Sequence, residues 1–512
     1  MEQKGSEFLF FESHNIQEPC FQASLSVNCE IPFSITPKPF FFNPFPSGIL
    51  HRMKRSVVKF GGSNFKNADD MAKILQAVRL YQEPPVLVVS AFYGITNELI
   101  SVMENSDLKE NEISDMITRL KTMKRESLET HISSASKRKA VYRHLGERID
   151  DLARVILGTH YIGETPPFIR DRILSYGERL SSLLVSAVLG NNNVPAVECL
   201  PEDIGLFTNG EEGNAVVDFA ASAQSLPAAL PTDRVCVIPG FYGVSQKGRT
   251  TLLGRGGSDY SAAAVARCID AASLDVWKDV DGYLSADPKS VNSALRIPRL
   301  GYSEAAELSY FGARILHPRT VEPLEDRAIP IRIFNINEGK MVLNPLSIIG
   351  PDSNTPKGPK SVAFSDDFAV LTLAGAGVGI RPGILAKVTG ALDDGGINIR
   401  SVVTSQTAIN LYLNEADLDR TDTLVRSLQI SAVSHIIPRK NLSVVAVVGD
   451  GLGDDPEVAE GMMKALDKKG IRFTIFSVGA SNAAAYAVIP RAQRDDAVRA
   501  LHERCFPTLA RP

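Results

Sequence analysis

The residues whose types are best suited to ligand binding or catalysis lie in one glycine-rich turn, 254–259, near the middle of the chain. An apolar segment at 235–239 precedes the turn, and an alanine-rich helical pattern at 261–272 follows it. A strand, a glycine turn and a helix start direct backbone N–H groups and a positive helix end toward an anion. Arg255 adds a cationic fork suited to a carboxylate or phosphate, and Asp259 could orient a cation or an amine. This turn predicts an anion-binding site.

Lys59 is a second candidate, because it lies at the end of a predicted buried strand, 55–60. The strand runs directly into Gly61-Gly62-Ser63. A lysine in a strand is usually a solvated edge residue. Apolar neighbours on both sides and a following glycine turn favour a side chain that faces phosphate.

Two further segments carry polar groups at predicted element ends. A strand at 85–90 leads into a small-residue turn and a helix start near Thr96. Glu178 lies early in a helix pattern that runs through Leu189. Its spacing alone is equally consistent with an acidic residue on the helix surface and with a residue of a functional site. A third strand, 274–277, ends in a polar loop that begins at Lys278, and ligands bind at such carboxyl ends of strands.

Strand and helix patterns alternate through residues 53–340, which predicts an α/β sandwich with a mainly parallel sheet. Residues 101–160 are charged and helical, and we expect them to form a helical excursion from that sheet. The segment 243–250 nearly matches a phosphate-binding P-loop, but it carries Arg249 where that loop needs lysine. We interpret it as a hairpin turn.

Composition excludes several classes of function. The chain has 512 residues, 44% of them hydrophobic and 22% charged, with a net charge of −4 and no dense basic stripe, so nucleic acid is not an expected partner. No apolar run is long enough for a membrane span. The six cysteines form no Cys-x-x-Cys pair, which favours a reducing cytoplasm and no metal site.

The first 52 residues differ from the rest, because they are rich in Phe and Pro and show neither a helix nor a strand period. Acidic residues spread through them argue against a signal or transit peptide. We expect a disordered extension, or translated sequence upstream of a start at Met53.

The last third repeats itself with an offset of 74 residues, so that Gly375 and Gly379 recur as Gly449 and Gly453, and Tyr412 as Tyr486. Each copy predicts the ferredoxin-like order of strand, helix, strand, strand and helix. Neither copy carries a nucleophile with a base, which favours binding or assembly. The predicted domains are 53–340, a linker at 341–365, and the two copies at 366–440 and 441–512.

Together these segments resemble the aspartate kinases of the amino-acid kinase superfamily, which carry a tandem pair of ACT domains. The resemblance covers about residues 54–505. The motifs that carry it are Lys59-Phe60-Gly61-Gly62-Ser63, Ser90-Ala91 with Gly94-Ile95-Thr96-Asn97, Ser175-Tyr176-Gly177-Glu178-Arg179, the turn 254–259, Trp277-Lys278-Asp279-Val280-Asp281-Gly282, and Phe311-Gly312-Ala313-Arg314-Ile315-Leu316-His317-Pro318.

The resemblance implies an amino-acid (carbamate) kinase-like α/β/α sandwich followed by two ferredoxin-like ACT domains. It implies phosphorylation of the aspartate β-carboxylate with ATP, and Mg²⁺ that enters with ATP. Catalytic roles fall on Lys59 and Asp259. Substrate-binding roles fall on Thr96, Glu178, Phe241, Arg255, Gly256, Gly257 and Ser258. Nucleotide-binding roles fall on Lys59, Gly61, Gly62, Ser63, Lys278, Asp279, Leu284, Lys289 and Arg314.

For the ACT pair, the resemblance implies an amino-acid effector near Gly379, Gly383, Asn398 and Ile399, and a homodimer or homotetramer formed through these domains. Arg400 stands where lysine-sensitive members often have Asp, so lysine would meet repulsion, and threonine or another effector is open. Two alternatives to an aspartate kinase are another carboxylate kinase of the superfamily and a catalytically silent amino-acid sensor.

Overall fold

The computed structural model describes residues 54–66, 68–105, 109–313 and 315–507. The prediction for residues 1–52 lies outside these ranges. The strands are β1 (Ser56–Phe60), β2 (Val86–Val89), β3 (Ala196–Glu198), β4 (Phe207–Thr208), β5 (Val235–Pro239), β6 (Tyr242–Ser245), β7 (Thr250–Leu252), β8 (Ser273–Lys278), β9 (Arg299–Gly301), β10 (Ile331–Asn335), β11 (Ser347–Gly350), β12 (Ser361–Ala374), β13 (Ile399–Thr404), β14 (Ala408–Leu413), β15 (His435–Val448), β16 (Ile475–Ser481) and β17 (Ala484–Pro490).

The helices alternate with these strands in the first part of the chain, as predicted. They are α1 (Ala68–Val78), α2 (Ile95–Glu104), α3 (Glu110–His131), α4 (Ala135–Ile162), α5 (Pro167–Asn191), α6 (Pro201–Ile204), α7 (Phe219–Ala229), α8 (Gly257–Cys268), α9 (Tyr302–Tyr310), α10 (Glu322–Glu325), α11 (Ile384–Asp394), α12 (Leu418–Ser427), α13 (Pro456–Lys468) and α14 (Arg494–Cys505). No helix within the described ranges has the length and apolarity needed to cross a bilayer.

The main sheet has eight strands in the order β3-β5-β2-β1-β8-β10-β11-β9. Neighbours from β3 to β10 pair in parallel, so their carboxyl ends share one edge of the sheet. Alternate residues of β1 enter different layers: Val57 belongs to a core that includes residues of α8, and Val58 to a core that includes residues of α1, α3, α4 and α5. The α/β/α sandwich with a mainly parallel sheet is therefore confirmed.

A small second sheet confirms the hairpin predicted for 243–250. Strands β6 and β7 pair antiparallel, with Tyr242 opposite Leu252, and the turn between them closes through Ser245. No helix follows the turn within this segment, so the feature that defines a P-loop is missing there.

The two repeats fold as predicted in element order, but they share strands. Their six strands form one antiparallel sheet, β13-β14-β12-β15-β17-β16. The first half of β12, from Ser361, pairs with the second half of β15, and the second half of β12 pairs with the first half of β15. Each long strand therefore contributes to both ferredoxin-like units, and the linear boundary at residue 440 is wrong.

The predicted linker at 341–365 also needs correction. Residues Ser347–Gly350 form β11, which pairs with β10 and β9 in the main sheet. Residues 361–365 already belong to β12. The linker was predicted because the segment is rich in proline. The backbone hydrogen bonds of both segments are nevertheless made in sheets. The connection between the two folds is thus confined to about residues 351–360.

Candidate active site

A cavity of about 420 Å³ lies beside the carboxyl end of β1. Its walls come from the loop after β1, the loop between β2 and α2, α5, and the first turn of α8. Its predicted lining residues are Lys59, Gly62, Ser63, Thr96, Glu178, Phe241, Gly256, Gly257, Ser258 and Asp259. Segments that are distant in the sequence thus meet where parallel strands end, as expected for a ligand site in such a sheet.

Lys59 is the cation at the centre of this cavity. Its side chain is buried, and its ammonium forms an ion pair with Asp259 in the first turn of α8. Burial alone would raise the pKa of Asp259, but the charges of Lys59 and Lys278 hold it below its usual value. The pair therefore presents the Lys59 side chain and, at neutral pH, an ionised Asp259 carboxylate to the cavity.

The glycine turn before α8 is packed too closely for other residues. Gly256 has φ +71°, and a Cβ there would lie 2.3 Å from the ring of His317. Phe241 also adopts a positive φ, 72°, and its ring would meet a Cβ on Gly257 at 2.8 Å. Positive φ at a bulky residue is a strained conformation that tends to occur at functional sites.

Glu178 closes the cavity from α5. Gly177 permits this, because a Cβ there would lie 2.8 Å from Cβ of Ala91 in the facing loop. The Ser258 hydroxyl lies 3.4 Å from Oε1 of Glu178, while Oε2 has no hydrogen-bond partner in the described part of the chain. Burial raises the pKa of Glu178 to about 8, against the opposing effect of the Ala91 N–H, Ser258 and Lys59. This carboxyl group makes no ion pair within the described residues, and a bound ammonium would supply one.

Lys278 and Asp279 border the same region at the end of β8. The Lys278 ammonium donates to the carbonyl oxygen of Ile315, and burial lowers the pKa of Lys278, while Asp259 opposes this shift. Asp279 pairs with Lys66 at 3.1 Å. These positions lie next to Lys59 and Asp259, on the side where a nucleotide role was predicted.

Arg255, Leu284 and Lys289 do not line this cavity. Arg255 is exposed at the tip of the turn, and it makes no hydrogen bond or ion pair within the described residues. The Leu284 carbonyl accepts from Ser361, and Lys289 borders a separate cavity beside α14. Arg314 lies outside the described residues. The predicted roles of all four stay predictions.

The residues predicted to bind an effector lie in the first ferredoxin-like unit. Gly379 packs against the carbonyl of Ser405, Gly383 precedes α11, and Asn398 and Ile399 lie at the start of β13. These positions stay a predicted effector site.

Arg400, which was expected to repel lysine, donates to the carbonyls of Tyr310 and Asp367, both at 2.8 Å, and its effect on lysine stays a prediction. Its guanidinium therefore links the catalytic part to the ferredoxin-like pair.

Sequence reasoning missed two residues. His317 packs on the Gly256 turn, and burial lowers its pKa; it was part of a quoted motif but received no role. Lys124 is buried behind the cavity, with its Nζ 3.0 Å from the ring centroid of Phe92. The signal for Lys124 was its place in the apolar stripe of α3, which contains Ile113, Ile117, Leu120 and Leu128.

Two family models match the chain: that of the Amino acid kinase family at residues 54–335, and that of the ACT domain at residues 445–505. The first spans more than half of the sequence. The chain belongs to the amino acid kinase family. The ACT match falls within the second ferredoxin-like unit.

Individual relatives agree over nearly the whole described length. Lysine-sensitive aspartokinase 3 of Escherichia coli is 30% identical over 88% of this chain and 99% of its own. The chain belongs to the aspartokinases. Aspartokinase 2, chloroplastic, of Arabidopsis thaliana is 28% identical over 88% of this chain and 84% of its own. The crystal structure of E. coli aspartokinase III with aspartate and ADP, in the R-state, superposes with a TM-score of 0.75 at 27% identity, covering 88% of this chain and all of that one.

Proposed function

We propose that this aspartokinase transfers the γ-phosphoryl group of ATP to the β-carboxylate of L-aspartate. The products are 4-phospho-L-aspartate and ADP, and the reaction is the first step toward lysine, threonine and methionine. The observation that carries the proposal is one cavity that holds Lys59, Glu178 and Asp259, in a chain similar over its described length to an enzyme solved with aspartate and ADP.

The chemistry requires two anions to meet. The aspartate β-carboxylate, with a pKa near ~3.9, is already ionised, so no general base is needed. At ~4 Å and an effective dielectric of ~20, each pair of unit like charges costs about 4 kcal/mol. Lys59, Lys278 and the backbone amides of the two glycine turns offset that repulsion.

Each group has a distinct role in this scheme. A carboxylate oxygen of aspartate bonds to the γ-phosphorus while the bond to the β,γ-bridging oxygen breaks, and Lys59 stabilises the charge on the moving phosphoryl. Glu178 receives the aspartate ammonium. Arg255 is assigned the α-carboxylate, and Arg255→Ala is expected to raise the aspartate KM. Mg²⁺ enters with ATP, and the carboxylates of Asp259 and Asp279 are oxygen ligands of the kind it prefers.

The regulatory and cellular proposals go beyond the chemistry. We assign the ACT pair an amino-acid effector, and assembly of a homodimer or homotetramer. A cytoplasmic location is proposed on the cysteine pattern alone, and the similar Arabidopsis enzyme is named as chloroplastic.

A hydroxamate-trapping assay tests the function. It uses the full chain with ATP, Mg²⁺ and aspartate. Aspartate-dependent hydroxamate is the expected result, and the assay is repeated with lysine, threonine and methionine to identify an effector. Turnover with N-acetylglutamate in place of aspartate would indicate the other carboxylate kinase. Absence of any turnover, with an amino acid still bound, would indicate the sensor and contradict the proposal.

A further inference from the structure

Lys124 is a buried lysine. It lies on the inner face of α3, and only 1% of the residue is exposed. Its Nζ makes no hydrogen bond to any residue that the structure describes. Lys121, one turn earlier on the same helix, is exposed and pairs with Asp150 at 2.6 Å. A solvent-exposed lysine position therefore exists one turn away on α3, and the burial of Lys124 needs a separate explanation.

The ammonium of Lys124 lies beneath the loop that forms one wall of the cavity. Its Nζ is 3.0 Å from the centroid of the Phe92 ring, and Phe92 lines the cavity. The Phe92 ring also packs on Phe65, with centroids 5.2 Å apart, and Tyr93 N–H donates to the Phe65 carbonyl. Phe65 follows the glycine loop after Lys59. A cation under Phe92 thus supports both loops that border the phosphoryl-transfer region.

The charge of Lys124 also acts on Glu178. Burial drives the pKa of Lys124 well below its usual value, and Glu178 is the group that opposes this. The groups that face Glu178 are the Ser258 hydroxyl on α8, the Ala91 N–H, and Lys59 on β1. Lys124 adds a second cation, from α3.

We propose that Lys124 is a positioning residue for the substrate ammonium site: from beneath Phe92 it fixes the loop at 91–97, which packs against Gly177 beside Glu178. The inference rests on the proposed function and deepens it, because it concerns the carboxylate assigned to the aspartate ammonium. Lys124 does not touch the substrate. It acts through Phe92 and Glu178.

The alternative is a lysine that serves packing alone. A buried charge without a complete set of partners costs stability, and an apolar residue of similar volume is often neutral or stabilising in its place. Lys124→Met is therefore expected to keep or raise the melting temperature. A loss of substrate affinity together with unchanged or higher stability separates positioning from packing.

The test compares Lys124→Met with the control Lys121→Met in the full chain. Wild-type turnover of aspartate is measured first, because its absence would contradict the proposed function and not this inference alone. In Lys124→Met the aspartate KM is expected to rise about tenfold, with the ATP KM changed less than about twofold. The pH midpoint of kcat/KM for aspartate should move upward, since the cation that favours ionised Glu178 is gone.

Two further variants complete the test. Lys124→Arg keeps the charge, and it should return the pH midpoint to the wild-type value. If Lys124→Met does not fold, Phe92→Leu removes the ring above the ammonium, and an unchanged aspartate KM in that variant overturns the proposal. An aspartate KM and pH midpoint in Lys124→Met that equal those of Lys121→Met overturn it as well.

Discussion

Two buried glutamates on helices, Glu178 on α5 and Glu304 on α9, have opposite surroundings. Both are almost inaccessible, at 3% and 0% exposure. Glu304 accepts hydrogen bonds from the N–H groups of Gly301, at 2.6 Å, and Asp450, at 2.7 Å, and it pairs with Lys360 at 2.6 Å. Glu178 has a single weak hydroxyl contact, to Ser258, and one oxygen without a hydrogen bond among the described residues.

This difference in partners distinguishes a glutamate that stabilises the fold from a glutamate that is suited to binding a ligand. A buried charge with all its hydrogen-bond partners fixes the positions of the groups around it. Each group that donates to Glu304 belongs to a different segment, which is thereby held in place. Lys360 and Asp450 belong to the ferredoxin-like pair or its connection, so Glu304 fastens this pair to the catalytic part. A buried carboxylate with an incomplete partner set is costly in the empty protein, and a ligand cation would complete it.

The largest effect is expected from Lys59→Met. Without the ammonium, nothing at this position stabilises charge on the moving phosphoryl, and kcat should fall by about 10²–10³-fold. Steady-state kinetics with ATP and aspartate measure it. Lys54→Met is the matched control, since Lys54 stands just before the opposite end of β1 in an exposed pair with Asp270. A kcat within a few-fold of wild type would remove Lys59 from the mechanism.

The pH profile is expected to report Glu178. Its pKa is raised to about 8, so below that pH the carboxyl is increasingly protonated and cannot pair with an ammonium. The value of kcat/KM for aspartate should rise about tenfold per pH unit toward pH ~8 and then level. Glu304→Gln should leave the midpoint in place. A flat profile between pH 6 and 8 would contradict the assignment of Glu178.

Much of the cavity followed from sequence because it is local. Lys59, Glu178 and Asp259 each lie in a short motif beside a glycine, and parallel strands bring their carboxyl ends to one edge. The contacts of Lys124 and Arg400 could not be found this way. Their partners, Phe92 and Tyr310, are determined by how helices and domains pack, and that information is spread over the whole chain.

The fold likewise has features that the sequence predicts and features that it does not. Element order in both repeats was predictable from periodicity, because each element carries its own pattern. The sharing of β12 and β15 was not, since these two 14-residue strands pair with each other along their whole length, with register shifts near Phe368. Strand β14 joins only the second half of β12, and β17 joins only the second half of β15. Register depends on tertiary pairing, and a single sequence does not reveal it.

The smallest effect concerns the contact between the two parts. Gly312 has φ +106°, and a Cβ there would lie 2.1 Å from the Phe364 carbonyl of β12, whereas Gly358 has φ +105° with open space around it. Both alanine variants carry the same backbone strain, but only Gly312→Ala adds a clash. The free energy of unfolding should be lower in Gly312→Ala by about 1–3 kcal/mol relative to Gly358→Ala. Denaturant titration measures it, and equal stabilities would contradict the packing described.

The most direct test of the account pairs Glu178→Gln with Glu304→Gln at pH 7, measuring melting temperature and kcat/KM for aspartate on the same preparations. Folding at pH 7 requires Glu178 to take up a proton, so Glu178→Gln should not lower stability, while the aspartate KM rises about 100-fold. Glu304→Gln should lose about 3 kcal/mol of stability with the aspartate KM nearly unchanged. The opposite assignment of the two losses would contradict the account.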